Sequence, residues 1–166
     1  IESCVVNMDV TASNAEIGGL VGENGSGATT TNCYALGSVE GSEKVAGFAG
    51  VNRGTIQTSY SVGSVNATTG TAEHGFTGEV FENTETDCYW DTESSGITTT
   101  AGTATGLTTS EMQGSEASTN MGGFDFTNTW STITASDTDA AADGYPILQG
   151  LDKVSQLYYA NNLDVT

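Results

Sequence analysis

Few side chains in this chain of 166 residues have types able to do chemistry: three cysteines, one histidine, two Asn-X-Ser/Thr sequons and one cluster of aspartates. Cys4 and Cys33 lie 29 residues apart. If that interval is one structural repeat, their Cα atoms fall within the range a disulfide spans. Cys88 stands two repeats beyond Cys33 with Ser59 between them, and a rise of roughly 9.6 Å forbids pairing there. Three buried thiols are preferred to a Cys4–Cys33 bridge, and both stay open. No His or Cys spacing suggests zinc. His74, the only histidine, admits a Ser/His/Asp triad in principle, but no nucleophile-elbow motif supports one, so a corner residue is expected. Asp137, Asp139 and Asp143 offer oxygens that suit calcium without the EF-hand pattern; a solvated acidic loop is the default. The run from Gly22 to Gly27 mimics a phosphate loop, yet Glu23 and the lack of a nearby lysine oppose phosphate. Asn24-Gly25-Ser26 and Asn66-Ala67-Thr68 are N-glycosylation sequons in expected turns. With no catalytic set among these residues, the chain is expected to be non-enzymatic and to hold no cofactor, calcium being the single candidate.

Composition sets the frame for these residues. Three Lys plus Arg against 21 Asp plus Glu leave a net charge of −18, which repels nucleic-acid phosphates and anionic membranes. Such acidity with so few lysines suits molar salt, where the Debye length is about 3 Å, and points to a halophilic source. Gly (22), Thr (27) and Ser (16) dominate, against a single proline, which excludes helical bundles and collagen and reads as all-β with many turns. No stretch approaches the roughly 20 apolar residues of a membrane span. The chain opens on Ile1 without a signal-like leader, as a mature or trimmed piece would.

The elements that must position these residues come in repeats. Ile17-Gly-Gly-Leu-Val-Gly-Glu-Asn24 recurs as Val45-Ala-Gly-Phe-Ala-Gly-Val-Asn52 and, more loosely, as Glu73-His-Gly-Phe-Thr-Gly-Glu-Val80, with Gly19, Gly47 and Gly75 spaced by 28 residues. Cys33-Tyr-Ala-Leu-Gly-Ser-Val39 recurs as Ser59-Tyr-Ser-Val-Gly-Ser-Val65, with Cys4 and Cys88 opening related phrases before and after. A unit this short, holding two or three apolar runs, cannot bury its own hydrophobic face, so units must stack. The expected fold is a short right-handed parallel β-solenoid of three to four 28-residue coils, its regular glycines turning the corners with unusual backbone angles. Its core columns are Tyr34, Tyr60 and Tyr89; Val10, Val39 and Val65; and Leu20, Phe48 and Phe76.

Gly19-Leu20-Val21-Gly22 with the following Glu-Asn, together with the Cys-Tyr-Ala-Leu-Gly-Ser-Val phrase, closely resembles the GLUG repeat of bacterial and archaeal surface proteins. The resemblance extends through Cys88-Tyr-Trp-Asp91, Gly106-Leu-Thr-Thr-Ser-Glu-Met112, Gly123-Phe-Asp-Phe126 with Trp130, and Gly144-Tyr-Pro-Ile-Leu148, which look like the closing module of such arrays. The third repeat departs, carrying His74 where Gly or Ala is expected. The resemblance implies an exported, surface-displayed, adhesive or structural protein, and transfers no catalytic residue.

Three segments are therefore expected: repeats over 1–90, a C-terminal capping module over 91–150 and a tail over 151–166 that could dock on a neighbouring subunit. Residues 91–108 read as a loop leaving the last rung. Thr108 and Glu111 form a capping box before a short helix over about 109–114, reaching as far as 119. Trp90 and Trp130 are expected in the core of the cap. Ile1 opens in mid-repeat, so upstream rungs or another chain should cover that edge, and a second copy there would give a head-to-tail filament. The functional expectation is an archaeal extracellular adhesin or filament module at the cell surface, self-associating or meeting a host or neighbouring cell. The alternatives are an accessory segment of a larger surface enzyme, such as a peptidase, and a viral fibre or receptor-binding module.

Overall fold

The computed structural model describes residues 1–13, 15–69, 73–81, 84–136 and 144–151. The chain is built mainly of strands and divides into two compact units, Ile1–Leu107 and Thr108–Thr166.

In the first unit the chain makes the same series of four short strands three times. The first repeat holds β1 (Glu2–Val6), β2 (Val10–Thr11), β3 (Ala15–Gly18) and β4 (Val21–Asn24). The second holds β5 (Thr29–Ala35), β6 (Val39–Gly41), β7 (Glu43–Ala46) and β8 (Ala49–Asn52). The third holds β9 (Thr55–Ser61), β10 (Val65–Ala67), β11 (Glu73–His74) and β12 (Thr77–Val80), after which β13 (Glu85–Asp91) opens a fourth. Equivalent strands pair in parallel, giving sheets ordered β1-β5-β9-β13, β2-β6-β10, β3-β7-β11 and β4-β8-β12. Register follows the sequence repeat, with Ile17 opposite Val45, Val21 opposite Ala49 and Tyr34 opposite Tyr60. Each repeat thus has four strands where the apolar runs suggested two or three. The two-residue and three-residue members, such as β2 and β6, are too short for alternation to reveal them.

Like stacks on like in the interior. The Tyr34 and Tyr60 rings lie 5.0 Å apart and 7° from parallel, and Tyr89 is the register partner of Tyr60. Phe48 and Phe76 stack at 4.5 Å, with Leu20 packed against their cluster. Val10, Val39 and Val65 share one register column and one apolar cluster. Trp90 joins the cluster of Phe48 and Phe76 in the repeats, rather than a separate cap as expected, because Gly75 leaves room for its ring.

The regular glycines serve close approach, and unusual backbone angles fall elsewhere. Gly19, Gly47 and Gly75 are absent from the positive-φ residues. A Cβ on Gly19 would lie 2.4 Å from the carbonyl oxygen of Gly47, one on Gly47 would lie 2.3 Å from that of Gly75, and one on Gly75 would enter the Trp90 ring. The left-handed conformation instead belongs to a column of short polar residues, Ser3 (φ 51°), Asn32 (52°), Thr58 (42°) and Asp87 (52°), with a second column at Glu16 (65°) and Lys44 (49°). Such residues act as stacked bulges. The extra residue lets Ile56 and Ser59, three positions apart, both point inward and be fully buried.

Residues 91–108 differ from the expected loop. Asp91 caps α1 (Thr92–Ser95), its carboxylate accepting from the backbone N–H groups of Glu93 (2.8 Å) and Ser94 (2.9 Å). Beyond α1 the chain returns to the stack: Gly75 N–H donates to the Thr99 carbonyl, Ala101 N–H to that of Thr77, and β14 (Thr105–Leu107) pairs in parallel with β13. The buried Glu85 carboxylate receives the N–H groups of Thr103 and Ala104 at 2.9 and 3.3 Å. The first unit therefore ends at Leu107, not at 90.

In the second unit Thr108 and Glu111 make the reciprocal capping bonds, Thr108 N–H to Glu111 Oε2 (2.8 Å) and Glu111 N–H to Thr108 Oγ1 (3.3 Å). These bonds hold the Glu111 carboxyl below its usual range. They close only a turn, however. The helix, α2 (Gly114–Asn120), starts later, after the backbone reverses at Gly114 (φ 57°). Then β15 (Trp130–Ile133) pairs antiparallel with β16 (Gly144–Leu148), and Trp130 packs 4.6 Å from Phe124.

The glycine column yields a direct test. Gly47→Ala should cost about 3 kcal/mol, the upper end of overpacking, because backbone and not a yielding side chain occupies the space. Urea denaturation measures this, and a loss under about 1 kcal/mol would show that the layers can part.

Candidate functional site

The feature of the first unit with clear binding capacity is its outer strand edge. Among the described residues, β1, β2, β3 and β4 each end their sheet with no strand on the outer side. At the opposite end β14 and residues 99–101 cover the stack. In a parallel strand, alternate residues send both backbone groups to the same side. The Val6 carbonyl accepts from Leu36 N–H at 2.9 Å, so Val5 directs its N–H and C=O outward. Ile1 and Met8 are exposed along this edge.

Charge at the edge is partly neutralised from the second repeat. Lys44 contacts Glu16 at 3.3 Å and also pairs with Glu79, bridging carboxylates of the first and third repeats. These contacts, Glu79 first, raise the Lys44 pKa. Arg53 lies 3.1 Å from Glu23 and 3.8 Å above the Phe81 ring. Exposed pairs of this kind each add at most about 1 kcal/mol, less in high salt. Since Lys153 lies outside the described residues, both described cations are committed to glutamates.

Asn24 and Asn52 form a buried ladder. Asn24 Nδ2 donates to Asn52 Oδ1 at 2.9 Å and to the Thr55 carbonyl at 3.2 Å, and its Oδ1 accepts from Thr30 Oγ1. Asn52 Oδ1 also accepts from Gly54 N–H. This corrects the expectation of a glycan at Asn24: its amide nitrogen is 2.9 Å from its partner inside the stack, and the residue is 4% exposed. Asn66 is exposed, its amide donating to Glu40 at 3.2 Å. The recurrence of Asn at the end of the Gly-Leu-Val-Gly phrase was the signal for the ladder. The ladder stops at the third repeat, where Val80 is the register partner of Asn52 and Asn52 Nδ2 is buried without a hydrogen bond.

The cysteines form one column with Ser59. Cys4 is the register partner of Cys33, and Cys88 that of Ser59, whose hydroxyl accepts from Cys33 N–H at 3.1 Å. All three are free thiols. Burial pushes Cys33 up to about 11 and raises Cys88 further. Burial also raises the Tyr34 hydroxyl, keeping it neutral, and with Tyr34 and Tyr60 fully buried the column forms no exposed sugar-stacking platform. His74 is held below the usual imidazole range by burial, with Nδ1 unbonded. Asp137, Asp139 and Asp143, like the tail from 152, lie outside the described residues. No group of three or more His, Cys, Asp and Glu suited to a metal occurs among the described residues, and no described helix is long and apolar enough to cross a membrane.

No protein-family model matches the chain, and neither the curated proteins nor the solved structures give a significant match. The likeness to GLUG repeats therefore rests on its residues alone.

Completing the asparagine ladder should strengthen it. Val80→Asn gives Asn52 Nδ2 an acceptor, with an expected gain of about 1 kcal/mol in thermal or urea unfolding. A comparable loss would mean that the vacancy is satisfied in another way.

Proposed function

We propose that the first unit is a right-handed parallel β-solenoid of the GLUG type and that the protein is a non-enzymatic extracellular module of a halophilic archaeon, working as a cell-surface adhesin segment or filament subunit. The observation that carries this reading is the row of unpaired outer edges on β1 to β4, opposite an end already covered. Such edges recruit parallel strands, and a stack of identical layers accepts either further repeats or a second copy, added head to tail. The right hand follows from the general crossover preference. An exported setting agrees with a surface of uncompensated carboxylates and with the exposed sequon at Asn66. The net charge of −18 favours molar salt, where repulsion between copies is screened to about 3 Å.

Electron microscopy of the protein in molar salt tests the assembly. Filaments are expected from the wild type, and Val5→Pro, which removes an outward N–H, should abolish them while leaving the melting temperature nearly unchanged. Isolated particles from both proteins would refute self-assembly. Salt adaptation is tested separately: melting should fall as salt drops from molar to about 0.1 M, where the Debye length grows to about 10 Å. An unchanged melting temperature would remove the halophile reading.

A further inference from the structure

We propose that Cys4 and Cys33 are a disulfide-forming pair, a crosslink that closes on contact with a low-molecular-weight disulfide and fastens the outermost strand to the one behind it. The two residues are direct register partners on β1 and β5. Parallel neighbours lie about 4.8 Å apart, inside the Cα window of about 4.4–6.8 Å for disulfides. Both side chains face the same apolar cluster, Cys33 as a member and Cys4 packed against it. Their thiols are electrostatic neighbours, since Cys4 contributes both through its backbone and through its charge to the environment of the Cys33 thiol. A disulfide brings Cβ atoms to about 3.8 Å, closer than in-register strands hold them. One strand must therefore give by a few tenths of an ångström or more, and β1, paired on one side only among the described residues, is free to do so.

The same column excludes the other pairings. Ser59 stands between Cys33 and Cys88, its hydroxyl bonded to the Cys33 N–H and to the Gln57 carbonyl. Cys88 is held between β9 and β14 by strands on both sides.

Exposure orders the chemistry. Cys4 is partly exposed and Cys33 is buried, so the Cys4 thiolate attacks one sulfur of the small disulfide, releasing one small thiolate and leaving a mixed disulfide on Cys4. Cys33 then loses its proton and attacks Sγ of Cys4, expelling the second small thiolate. Two protein thiols are oxidised to one disulfide, the small disulfide is reduced to two thiols, and the two protons pass to them.

The inference rests on the β1–β5 register alone and holds whether or not the protein assembles. The test incubates the folded full chain with oxidised and reduced glutathione, then counts alkylatable thiols in denaturant and maps the link after cleavage at glutamate. Glu16 and Glu23 separate the two cysteines in sequence, so their peptides stay together only if bridged. Wild type should fall from three thiols to one, Cys88→Ser from two to none, and Cys4→Ser and Cys33→Ser should form no internal link. The oxidised wild type should melt several degrees higher than the reduced form, with an unchanged circular dichroism spectrum. Retention of three thiols, a mixed disulfide persisting on Cys4, or a bridge to Cys88 would overturn the proposal. Because wild type and Cys88→Ser must both close, misfolding of one cysteine variant cannot decide the outcome.

Discussion

A separation of about 4.8 Å between hydrogen-bonded parallel strands is the constraint on which the first unit depends. At that distance each side chain meets its own equivalent from the next repeat, so every column must tolerate contact with itself. Flat rings do so by stacking, as at Tyr34 and Tyr60. Carboxamides do so because each carries a donor and an acceptor, as at Asn24 and Asn52. Where backbone crosses backbone, nothing larger than hydrogen fits, as at Gly19 and Gly47. Like charges fail this condition, and the glutamates nearest the stack are bridged by Lys44 or lie at the surface.

Local cost and global gain are balanced openly. A non-glycine residue in the left-handed region costs of order 1–3 kcal/mol, and the bulge column repeats that cost at Ser3, Asn32, Thr58 and Asp87. Each bulge allows two further positions to enter the interior. In the third repeat these are Ile56 and Ser59, and burial of one isoleucine alone is worth about 1.5–3 kcal/mol. Short polar side chains lower the cost further, Thr58 Oγ1 bonding Asn32 Oδ1 at 2.7 Å across the column.

Much of the architecture was legible in the sequence, and the failures have physical causes. The all-β character followed from composition, and the pairing of Tyr34 with Tyr60 followed from the repeat. Repetition names a column without giving its reason, so glycines needed for close approach looked like corners. Residues 91–108 looked like a loop because hydropathy does not register backbone pairing, and Thr99 and Ala101 join the stack through main-chain bonds. Asn24 looked like a glycan acceptor because a sequon is a pattern of three residues, whereas its fate was set by Asn52, 28 residues away. The capping box at Thr108 formed, but a box closes a turn whether or not a helix follows.

The matching registers of all four sheets also govern how such a chain can change length over evolutionary time. A tandem duplication of one whole repeat inserts a layer whose two faces already fit their neighbours, and the loop between partners stays at 28 residues in three of the sheets. Its closure entropy is then the same for every layer added. Gain or loss of a single residue inside a strand shifts every column downstream of it at once, turning glycines against rings and carboxylates toward the interior. The gene is therefore free to grow or shrink in whole layers and is nearly frozen in between.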